Sequence, residues 1–459
     1  MKHLILGAGP AGVIAAETIR KNAPLDEILV IGDETEAPYS RMAIPYVLSG
    51  KVGEEGTLLR RGVDHFASQN ITVRHGRVRR VDTAQHQVEL DDGSRVGYDR
   101  LLIATGSSPA APPIPGIDGP GVHPCWTLAD ARAIALHATP GARVLQMGAG
   151  FIGCIIMEAL AVRGVHLTVV EMGDRMVPRM MGPTAGSMIK EWCEKKGVTV
   201  YTGTRVEAIE RPAHAAAPAP APEPGLLQKL AQAVGLAQTP PPAAAAAPQA
   251  DAPMTVRLSN GQRLPADLVI SATGVRPNIG FLADSGIRCG VGVLTDEFLQ
   301  TNVPGIYAAG DCAEAFDRFS GVGVVSAIQP NAAEQARVAG MNMVGKPTSL
   351  KGVTQINVLD TLGMVSASFG QWQGVEGGEH VELTDREAGK HLSLQFSGDR
   401  LIGCNAIGFN DHVGVMRGLV EGKVRLSPEW KARLLADPTQ LKSAYLACAQ
   451  DQQGRAHVR

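Results

Sequence analysis

The sequence has none of the cysteine patterns that mark a disulfide-rich or metal-binding protein. Its seven cysteines among 459 residues are scattered and odd in number, and no two of them have the CxxC spacing typical of zinc and iron-sulfur sites. We therefore expect no disulfide framework and no metal site on this chain. Any iron-sulfur centre that takes part in its chemistry would have to lie on another chain.

Long apolar runs and an excess of one charge are also missing. Apolar runs such as residues 101–104 and 268–272 are far shorter than the roughly 20 residues that cross a membrane, and no signal-peptide pattern follows Met1. The formal net charge is -2 and there is no basic cluster, which argues against nucleic acid as a partner. We therefore expect a soluble cytoplasmic protein, and its length predicts two or three domains.

A glycine-rich motif follows the first apolar run. Residues 2–6 predict a strand, residues 7–12 (GAGPAG) a tight turn, and the next segment a helix. Such a turn can hold a dinucleotide pyrophosphate on the free amides of the helix, because Gly9 presents no Cβ to the phosphate. Gly7 allows the turn, and Gly12 lets the helix pack closely on the strand. A purely structural glycine turn would have the same sequence.

Two acids follow the second predicted strand, residues 27–31. Asp33 and Glu34 lie about 20 residues past the loop, where a carboxylate that binds a ribose is expected. Solvated acids in a turn would give the same pattern. The next segment, residues 38–46, contains two prolines and predicts an irregular loop.

The opening pattern occurs twice, and this internal repeat is the strongest signal in the sequence. A strand, a glycine loop, a helix, a strand ending in an acid, a hairpin turn and an Ala-Thr-Gly segment appear again in the same order. The second copy consists of residues 142–147, 148–153 (GAGFIG), 154–163, 167–171, 260–261 and 272–274. Agreement at so many levels makes a packing accident a poor explanation.

This order of elements predicts an α/β fold with two Rossmann-like dinucleotide-binding domains. Each would have three layers, with a parallel sheet and a β-meander, and a smaller α+β domain would follow. The expected domains are 1–112 with 276–340, then 113–275, then 341–459. Within the second domain, the Ala- and Pro-rich residues 212–253 predict a flexible insertion. Residues 225–236 inside it fit either a docking helix or a helix that packs on its own domain.

With these loops, both Ala-Thr-Gly segments and the segment from Thr301 to Gly310-Asp311, the sequence resembles the pyridine nucleotide-disulfide oxidoreductase superfamily. The resemblance covers nearly everything except the insertion and about the last fifty residues. It implies FAD at the first loop, NAD(H) at the second, and hydride transfer from nicotinamide C4 to flavin N5. The cofactors then carry the chemistry, so no catalytic side chain is expected.

The resemblance and the motifs together name the residues that we expect to contact the cofactors. The expected contacts are Gly7, Gly9, Pro10, Ala11, Gly12, Asp33, Glu34, Arg41, Val78, Ala104, Thr105, Gly106, Gly148, Gly150, Phe151, Ile152, Gly153, Glu171, Ala272, Thr273, Gly274, Gly310 and Asp311. By resemblance, Asp311 binds the ribityl chain of the flavin. Phe151 would either cover the flavin or pack as a core aromatic.

Two departures from the superfamily pattern indicate the subfamily. Met42 stands where members with a redox cysteine carry the nucleophile, and a thioether cannot become a thiolate. Residues 38–41 (PYSR) instead resemble the flavin modules of the rubredoxin, ferredoxin and NAD(P)H-nitrite reductases, which pass electrons outward. In the second departure, Ile155 stands where these relatives often have glutamate, so polar bracing near the nicotinamide is not expected.

Glu171 predicts the nucleotide. A carboxylate at the end of this strand accepts hydrogen bonds from a ribose 2′-hydroxyl and repels a 2′-phosphate, which favours NADH over NADPH. Arg175 lies close enough in sequence to oppose this preference.

We therefore expect an NADH-dependent FAD oxidoreductase that exchanges electrons with a rubredoxin, a ferredoxin or an iron-sulfur subunit, as in a nitrite or aldehyde oxidoreductase. Two other interpretations stay open: an NADH oxidase or quinone reductase, and a slow redox-sensing protein that binds NADH and FAD. The third region could pair with itself or with another subunit.

Overall fold

The computed structural model describes residues 1–62, 64–212 and 253–456. The predicted insertion at 212–253, with its predicted helix at 225–236, therefore lies outside the described residues except at its ends. Within the described ranges, no helix is long and apolar enough to cross a membrane.

The first sheet has five parallel strands in the order β19-β7-β1-β2-β3. Its strands are β1 (Lys2–Leu6), β2 (Glu27–Gly32), β3 (Ile71–His75), β7 (Arg100–Ile103) and β19 (Ile306–Ala308). The Ile, Leu and Val side chains of the inner strands β1, β2 and β7 are largely buried on both faces, as in parallel sheets covered on two sides, whereas the edge strand β3 buries only Ile71. One face carries helix α1 (Pro10–Asn22) and helix α7 (Gln329–Met343).

The second sheet repeats this design with the order β12-β11-β10-β16-β9, again all parallel. Its strands are β9 (Val122–His123), β10 (Arg143–Met147), β11 (His166–Val170), β12 (Thr199–Tyr201) and β16 (Leu268–Ser271). Three helices belong to the same region: α4 (Leu128–His137), α5 (Phe151–Val162) and α6 (Pro183–Lys195). The predicted order of strand, glycine loop and helix is thus present twice.

A three-stranded antiparallel meander covers the other face of each parallel sheet, which gives the third layer. The first meander consists of β4 (Val78–Asp82), β5 (Gln87–Leu90) and β6 (Arg95–Gly97), and the second of β13 (Val206–Glu210), β14 (Met254–Leu258) and β15 (Arg263–Ala266). The predicted three-layer α/β fold is confirmed.

The two regions are joined by an antiparallel pair of short strands, β8 (Ser107–Pro109) and β17 (Val275–Pro277). A small sheet of β18 (Val293–Leu294), β20 (Ala313–Phe316) and β21 (Gly323–Val325) follows in the chain. The predicted boundaries at 112, 275 and 340 stay predictions.

The C-terminal region is a five-stranded antiparallel sheet covered by helices. Its strands are β22 (Ile356–Thr361), β23 (Met364–Gly370), β24 (Glu379–Asp385), β25 (Lys390–Ser397) and β26 (Arg400–Ile407), and its helices are α8 (Val413–Glu421), α9 (Pro428–Ala436) and α10 (Leu441–Ala456). Strands followed by helices match the predicted α+β class.

One local prediction is wrong. Residues 38–46 are not irregular throughout, because a 3-10 turn at Arg41–Ala43 leads into a short helix, α2 (Ile44–Leu48). Pro45 lies in the first turn of that helix, where its missing N–H removes no hydrogen bond and its fixed φ suits the helix. A 3-10 helix at Glu54–Thr57 and a short α-helix, α3 (His65–Ser68), follow.

Candidate active site

The first glycine loop joins β1 to α1, and two of its glycines are required by backbone contacts. A Cβ on Gly7, whose φ is +113°, would lie 2.1 Å from the carbonyl oxygen of Ala104. A Cβ on Gly12 would lie 1.9 Å from the carbonyl oxygen of Gly7. Any other residue at these positions would force the loop and the helix apart. The same contacts hold Ala104 against the loop.

Gly9, the N-cap of α1, has a different environment. A Cβ on Gly9 would meet no atom of the described residues within 4 Å, so this position faces open space. No side chain in the described part of the protein caps α1, and the first turn of this helix has no acidic residue. The free amides at the positive end of the helix therefore have room for a phosphate, which is what a bound dinucleotide needs.

The second glycine loop, between β10 and α5, repeats this geometry. A Cβ on Gly148, whose φ is +94°, would lie 2.4 Å from the carbonyl oxygen of Ala272, and one on Gly153 would lie 2.5 Å from that of Gly148. A Cβ on Gly150 would again have no described atom within 4 Å. Each Ala-Thr-Gly segment thus supports its own loop, and each loop leaves its middle glycine open.

One large cavity, here called the main cavity, has a volume of about 910 Å³ and extends from the first loop to the C-terminal region. This volume lies in the upper part of the roughly 300–1,000 Å³ range of ligand pockets. Its lining includes the predicted residues Gly7, Gly9, Pro10, Ala11, Asp33, Glu34, Arg41, Ala104, Thr105, Gly106, Phe151, Ile152, Gly310 and Asp311. The open glycine, the uncapped helix and the carboxylates fit an extended dinucleotide such as FAD.

The remaining predicted residues lie outside the main cavity. Gly12 packs beneath the first loop, and Val78 packs in the apolar layer between the first sheet and its meander. A separate group surrounds the second loop and consists of Gly148, Gly150, Gly153, Glu171, Ala272, Thr273 and Gly274. Phe151 and Ile152 belong to both groups, because they begin α5 and also line the main cavity.

Asp33 and Glu34 both line the main cavity but have different partners. Oε1 of Glu34 accepts from Nη2 of Arg41 at 2.5 Å, and Oε2 accepts from the Tyr39 hydroxyl at 2.5 Å. Asp33 is exposed, and no hydrogen bond of its carboxylate to another described residue is present. Asp33 is therefore the better placed of the two acids for a ribose.

Arg41 connects the first region to the second. Its Nη1 donates to the carbonyl oxygen of Trp126 at 2.9 Å, and its guanidinium lies 5.5 Å from the centre of the Trp126 ring, within cation–π range. The indole N–H of Trp126 in turn donates to the carbonyl oxygen of Ser107 at 3.1 Å. Arg41 thus holds a wall of the main cavity, and nothing in the local sequence around Trp126 had indicated this role.

Asp311 lies where the sequence places it, against the first loop. A Cβ on Gly310, whose φ is +83°, would lie 3.2 Å from the Cβ of Ala11, so only a glycine fits here without strain. The Ser107 hydroxyl donates to Oδ2 of Asp311 at 2.9 Å. Burial raises the pKa of Asp311, while the bond from Ser107 and the charge of Arg41 oppose that rise. Ser107 is a further polar residue of the cavity that motif reading missed.

The N-terminus of α7 also faces the main cavity. Residues 328–333 line it, and this helix has neither a side-chain cap among the described residues nor an acid in its first turn. Its positive end therefore favours a partial negative charge on a bound ligand.

Glu171 is buried, with 9% of its surface exposed, and holds the second loop. Its Oε2 accepts from the amide of Ala149 at 2.6 Å and its Oε1 from the amide of Gly173 at 2.7 Å. Arg175 does not reach toward an open site, because it donates to the carbonyl oxygens of Met181 and Pro178 and to Asp174. The opposing argument from Arg175 is thereby weakened.

The acids of the two copies are offset by one residue. In strand register, Leu6 pairs with Ile31 and Met147 pairs with Val170, so Glu171 is level with Gly32 rather than with Asp33. A Cβ on Gly32 would lie 2.8 Å from the Cβ of Ala8, which excludes a side chain there. The first acid therefore comes one position later.

Replacing Glu171 by alanine is expected to lower the preference for NADH. Loss of a charged hydrogen-bond acceptor is worth about 1.5–3 kcal/mol, so the ratio of kcat/KM for NADH to that for NADPH should fall by about tenfold or more. Steady-state assays with a dye acceptor measure this ratio. Glu194→Ala, which removes an exposed acid of α6, is the control, and an unchanged ratio in Glu171→Ala would contradict the assignment.

The described lining of the main cavity contains no activated thiol. Met42 lines it with 49% of its surface exposed, and Cys125 is the one cysteine among the described lining residues. Burial raises the pKa of the Cys125 thiol to about 12, so it stays protonated near neutral pH. Disulfide reduction through a thiolate in this cavity is therefore not supported.

One part of the cavity wall is apolar. Phe151, Ile152 and Ile155 line the main cavity and also pack on the apolar cluster of the second region. Phe151 thus packs on the core and also faces the cavity, and its expected role of covering the flavin stays a prediction. Ile155 makes this wall apolar where a glutamate would have made it polar.

Comparison with known proteins agrees with this geometry. Residues 1–220 and 237–341 match the family described as pyridine nucleotide-disulphide oxidoreductase. The chain is 32% identical over 442 residues to the NADH-dependent phenylglyoxylate dehydrogenase subunit epsilon of Aromatoleum evansii, which covers 95% of each protein. It is 31% identical over 354 residues to an NADH oxidase of Methanocaldococcus jannaschii, covering 75% of this chain and 70% of that protein.

The fold has solved counterparts as well. The covalent putidaredoxin reductase-putidaredoxin complex contains a chain that superposes with a TM-score of 0.82 at 24% identity, covering 98% of this chain and 99% of that one. A likeness at this identity speaks for the fold. The family match covers most of the sequence and includes both glycine loops. The protein therefore belongs to the pyridine nucleotide-disulphide oxidoreductase family and is an FAD-dependent NAD(P)H oxidoreductase.

Proposed function

We propose that this protein transfers electrons between NADH and the redox centre of a protein partner, and that the partner is an iron-sulfur subunit. In this proposal residues 1–112 and 276–340 bind FAD, residues 113–275 bind NADH, and residues 341–459 form the interface region. The relative from Aromatoleum evansii, which aligns along nearly its full length, is named as a subunit of a larger NADH-dependent dehydrogenase. That name supports an assembly of several chains.

The observation that carries the proposal is the exposed part of the lining of the main cavity. Met42 and Val358 line it and are exposed to 49% and 46%. Lys351 and the ion pairs Arg337–Glu334 and Arg417–Glu421 line the same cavity. Exposed apolar side chains among charged ones are typical of a surface that contacts another protein. A site for a small diffusing acceptor would not require them.

The side chains of this region position the cofactor rather than react. In this proposal the amides of α1 next to Gly9 would bind the pyrophosphate, and Asp311 would accept hydrogen bonds from hydroxyl groups of the ribityl chain. Apolar residues such as Phe151 and Ile152 exclude water from the same cavity. Bound FAD supplies two-electron chemistry toward NADH and one-electron chemistry toward an iron-sulfur centre.

An NADH oxidase is the second candidate, because the relative from Methanocaldococcus jannaschii bears that name. Met42 and the protonated Cys125 leave the main cavity without a thiolate. Reduction of oxygen to water through such a thiolate is therefore disfavoured, whereas slow direct reaction of a flavin with oxygen remains compatible.

Stopped-flow reduction by NADH tests the proposal. We expect the flavin absorbance to bleach within seconds and to return slowly in air, and purification from the native source to yield a bound iron-sulfur partner. Flavin bleaching that takes longer than seconds would contradict electron transfer as the catalysed reaction. Fast recovery of the flavin absorbance in air would favour the NADH oxidase. An isolated chain with fast bleaching and no iron-sulfur partner in the native preparation would contradict the partner assignment.

A further inference from the structure

The two glycine loops differ in how they are held. Among the described residues, no side chain makes a hydrogen bond to the backbone of residues 7–12, whereas three side chains bind the backbone of the second loop. Gln146 donates to two carbonyl oxygens, the Glu171 carboxylate accepts from the amide of Ala149, and the Cys154 thiol contacts the carbonyl oxygen of Ala149 at 3.7 Å.

Gln146 makes the central contacts of this set. It lies in β10 with 0% of its surface exposed, and its Nε2 donates to the carbonyl oxygen of Gly148 at 2.9 Å and to that of Gly153 at 3.0 Å. Both partners are carbonyl oxygens, which accept only, so exchanging the positions of Nε2 and Oε1 would remove both hydrogen bonds. Its Oε1 is buried and has no partner among the described residues. A buried oxygen without a hydrogen-bond partner lowers the free energy of unfolding, so stability alone does not explain an amide side chain at this position.

The first loop provides an internal comparison. Ile5 occupies the same position, two residues before the first glycine, and its Cγ2 would lie 3.3 Å from a Cβ on Gly12. In the first loop this position therefore contributes apolar packing alone. In the second, an amide joins the first and the last glycine of the loop.

We propose that Gln146 is a positioning residue for NADH. By joining Gly148 to Gly153, it keeps the second loop and the first turn of α5 in their binding geometry while no nucleotide is present. A cofactor that stays bound can hold its own loop, but a nucleotide that exchanges in every turnover would bear the cost of ordering the loop each time. The inference rests on the proposed assignment of the second loop to NADH.

The test is the dependence of flavin reduction on NADH concentration in Gln146→Met holoenzyme. Methionine keeps the length of the side chain and removes both donors. We expect the Kd for NADH to rise by about tenfold, with the limiting reduction rate and the flavin content unchanged. Met147→Leu is the matched control, because Met147 is the next buried residue of β10 and packs on the opposite face, against the meander.

A second variant guards against loss of folding. Gln146→Ile copies the residue of the first loop, and we expect the same rise in Kd. A lower thermal midpoint with an unchanged Kd in either variant would overturn the inference and leave Gln146 a structural residue. If Gly150→Val weakens NADH binding while both Gln146 variants do not, only this inference fails. If Gly150→Val also leaves NADH binding intact, the assignment of the second loop is itself wrong.

Discussion

Gly9→Val is expected to yield a folded but colourless protein. The backbone of Gly9, with φ -77° and ψ -174°, is open to valine, and its Cβ would meet no described atom within 4 Å. The added methyl groups would enter the space where the pyrophosphate meets the amides of α1. Losing two hydrogen bonds to a charged group, at about 1.5–3 kcal/mol each, should weaken FAD binding by about 100-fold or more.

The measurement is the ratio of flavin to protein absorbance after purification, with circular dichroism and thermal melting to establish folding. An N-cap change of this kind costs about 1 kcal/mol, which most domains tolerate. Gly12→Ala is the contrasting variant, because its Cβ would lie 1.9 Å from a carbonyl oxygen and should impair folding itself. A yellow Gly9→Val protein would refute the assignment of the first loop to FAD.

Gly150→Val is expected to give the complementary result: a yellow protein that NADH no longer reduces. Its Cβ would also meet no described atom within 4 Å, so the fold should persist and the first loop should retain its flavin. By the same loss of charged hydrogen bonds, the apparent affinity for NADH should fall by about 100-fold or more. Stopped-flow bleaching across a range of NADH concentrations measures the change.

Dithionite provides the control for Gly150→Val, because it reduces bound flavin without using the second loop. Bleaching by dithionite together with no bleaching by NADH would locate the defect in nucleotide binding. A colourless Gly150→Val protein would indicate that the second loop supports flavin, and normal reduction by NADH would place the nucleotide elsewhere.

The parts that the sequence predicts well are those fixed by short spacings. A glycine loop between a strand and a helix is specified within about a dozen residues, and its backbone contacts dictate which glycines are required. Gly7, Gly9 and Gly12 therefore take three different environments that the motif alone had indicated. The repeat extended the same reasoning to the second sheet.

The parts that escaped prediction depend on residues distant in sequence. Arg41 meets Trp126, 85 positions away, and Ser107 meets Asp311, 204 positions away. Each of these contacts follows from the way the two regions pack, which no local pattern encodes. The α7 N-terminus reaches the main cavity for the same reason.

Some local sequence patterns could be interpreted only once the residues that they contact in the fold were known. The two prolines of residues 38–46 suggested a loop, yet Pro45 is compatible with the first turn of α2. The acids at the strand ends seemed equivalent, yet Ala8 leaves no room for a side chain at Gly32. Gln146 looked like any strand residue until its two carbonyl partners were placed.

The close contacts of the glycines with the Ala-Thr-Gly segments also bear on the ancestry of the chain. Where backbone touches backbone, as between Gly7 and Ala104 and between Gly148 and Ala272, the two halves have kept the same solution. Where a side chain supports the loop from the strand, as at Ile5 and Gln146, the two halves differ. Gene duplication followed by specialisation of each half accounts for both observations. Steric necessity preserves the backbone contacts, whereas the side chains were free to change with the ligand.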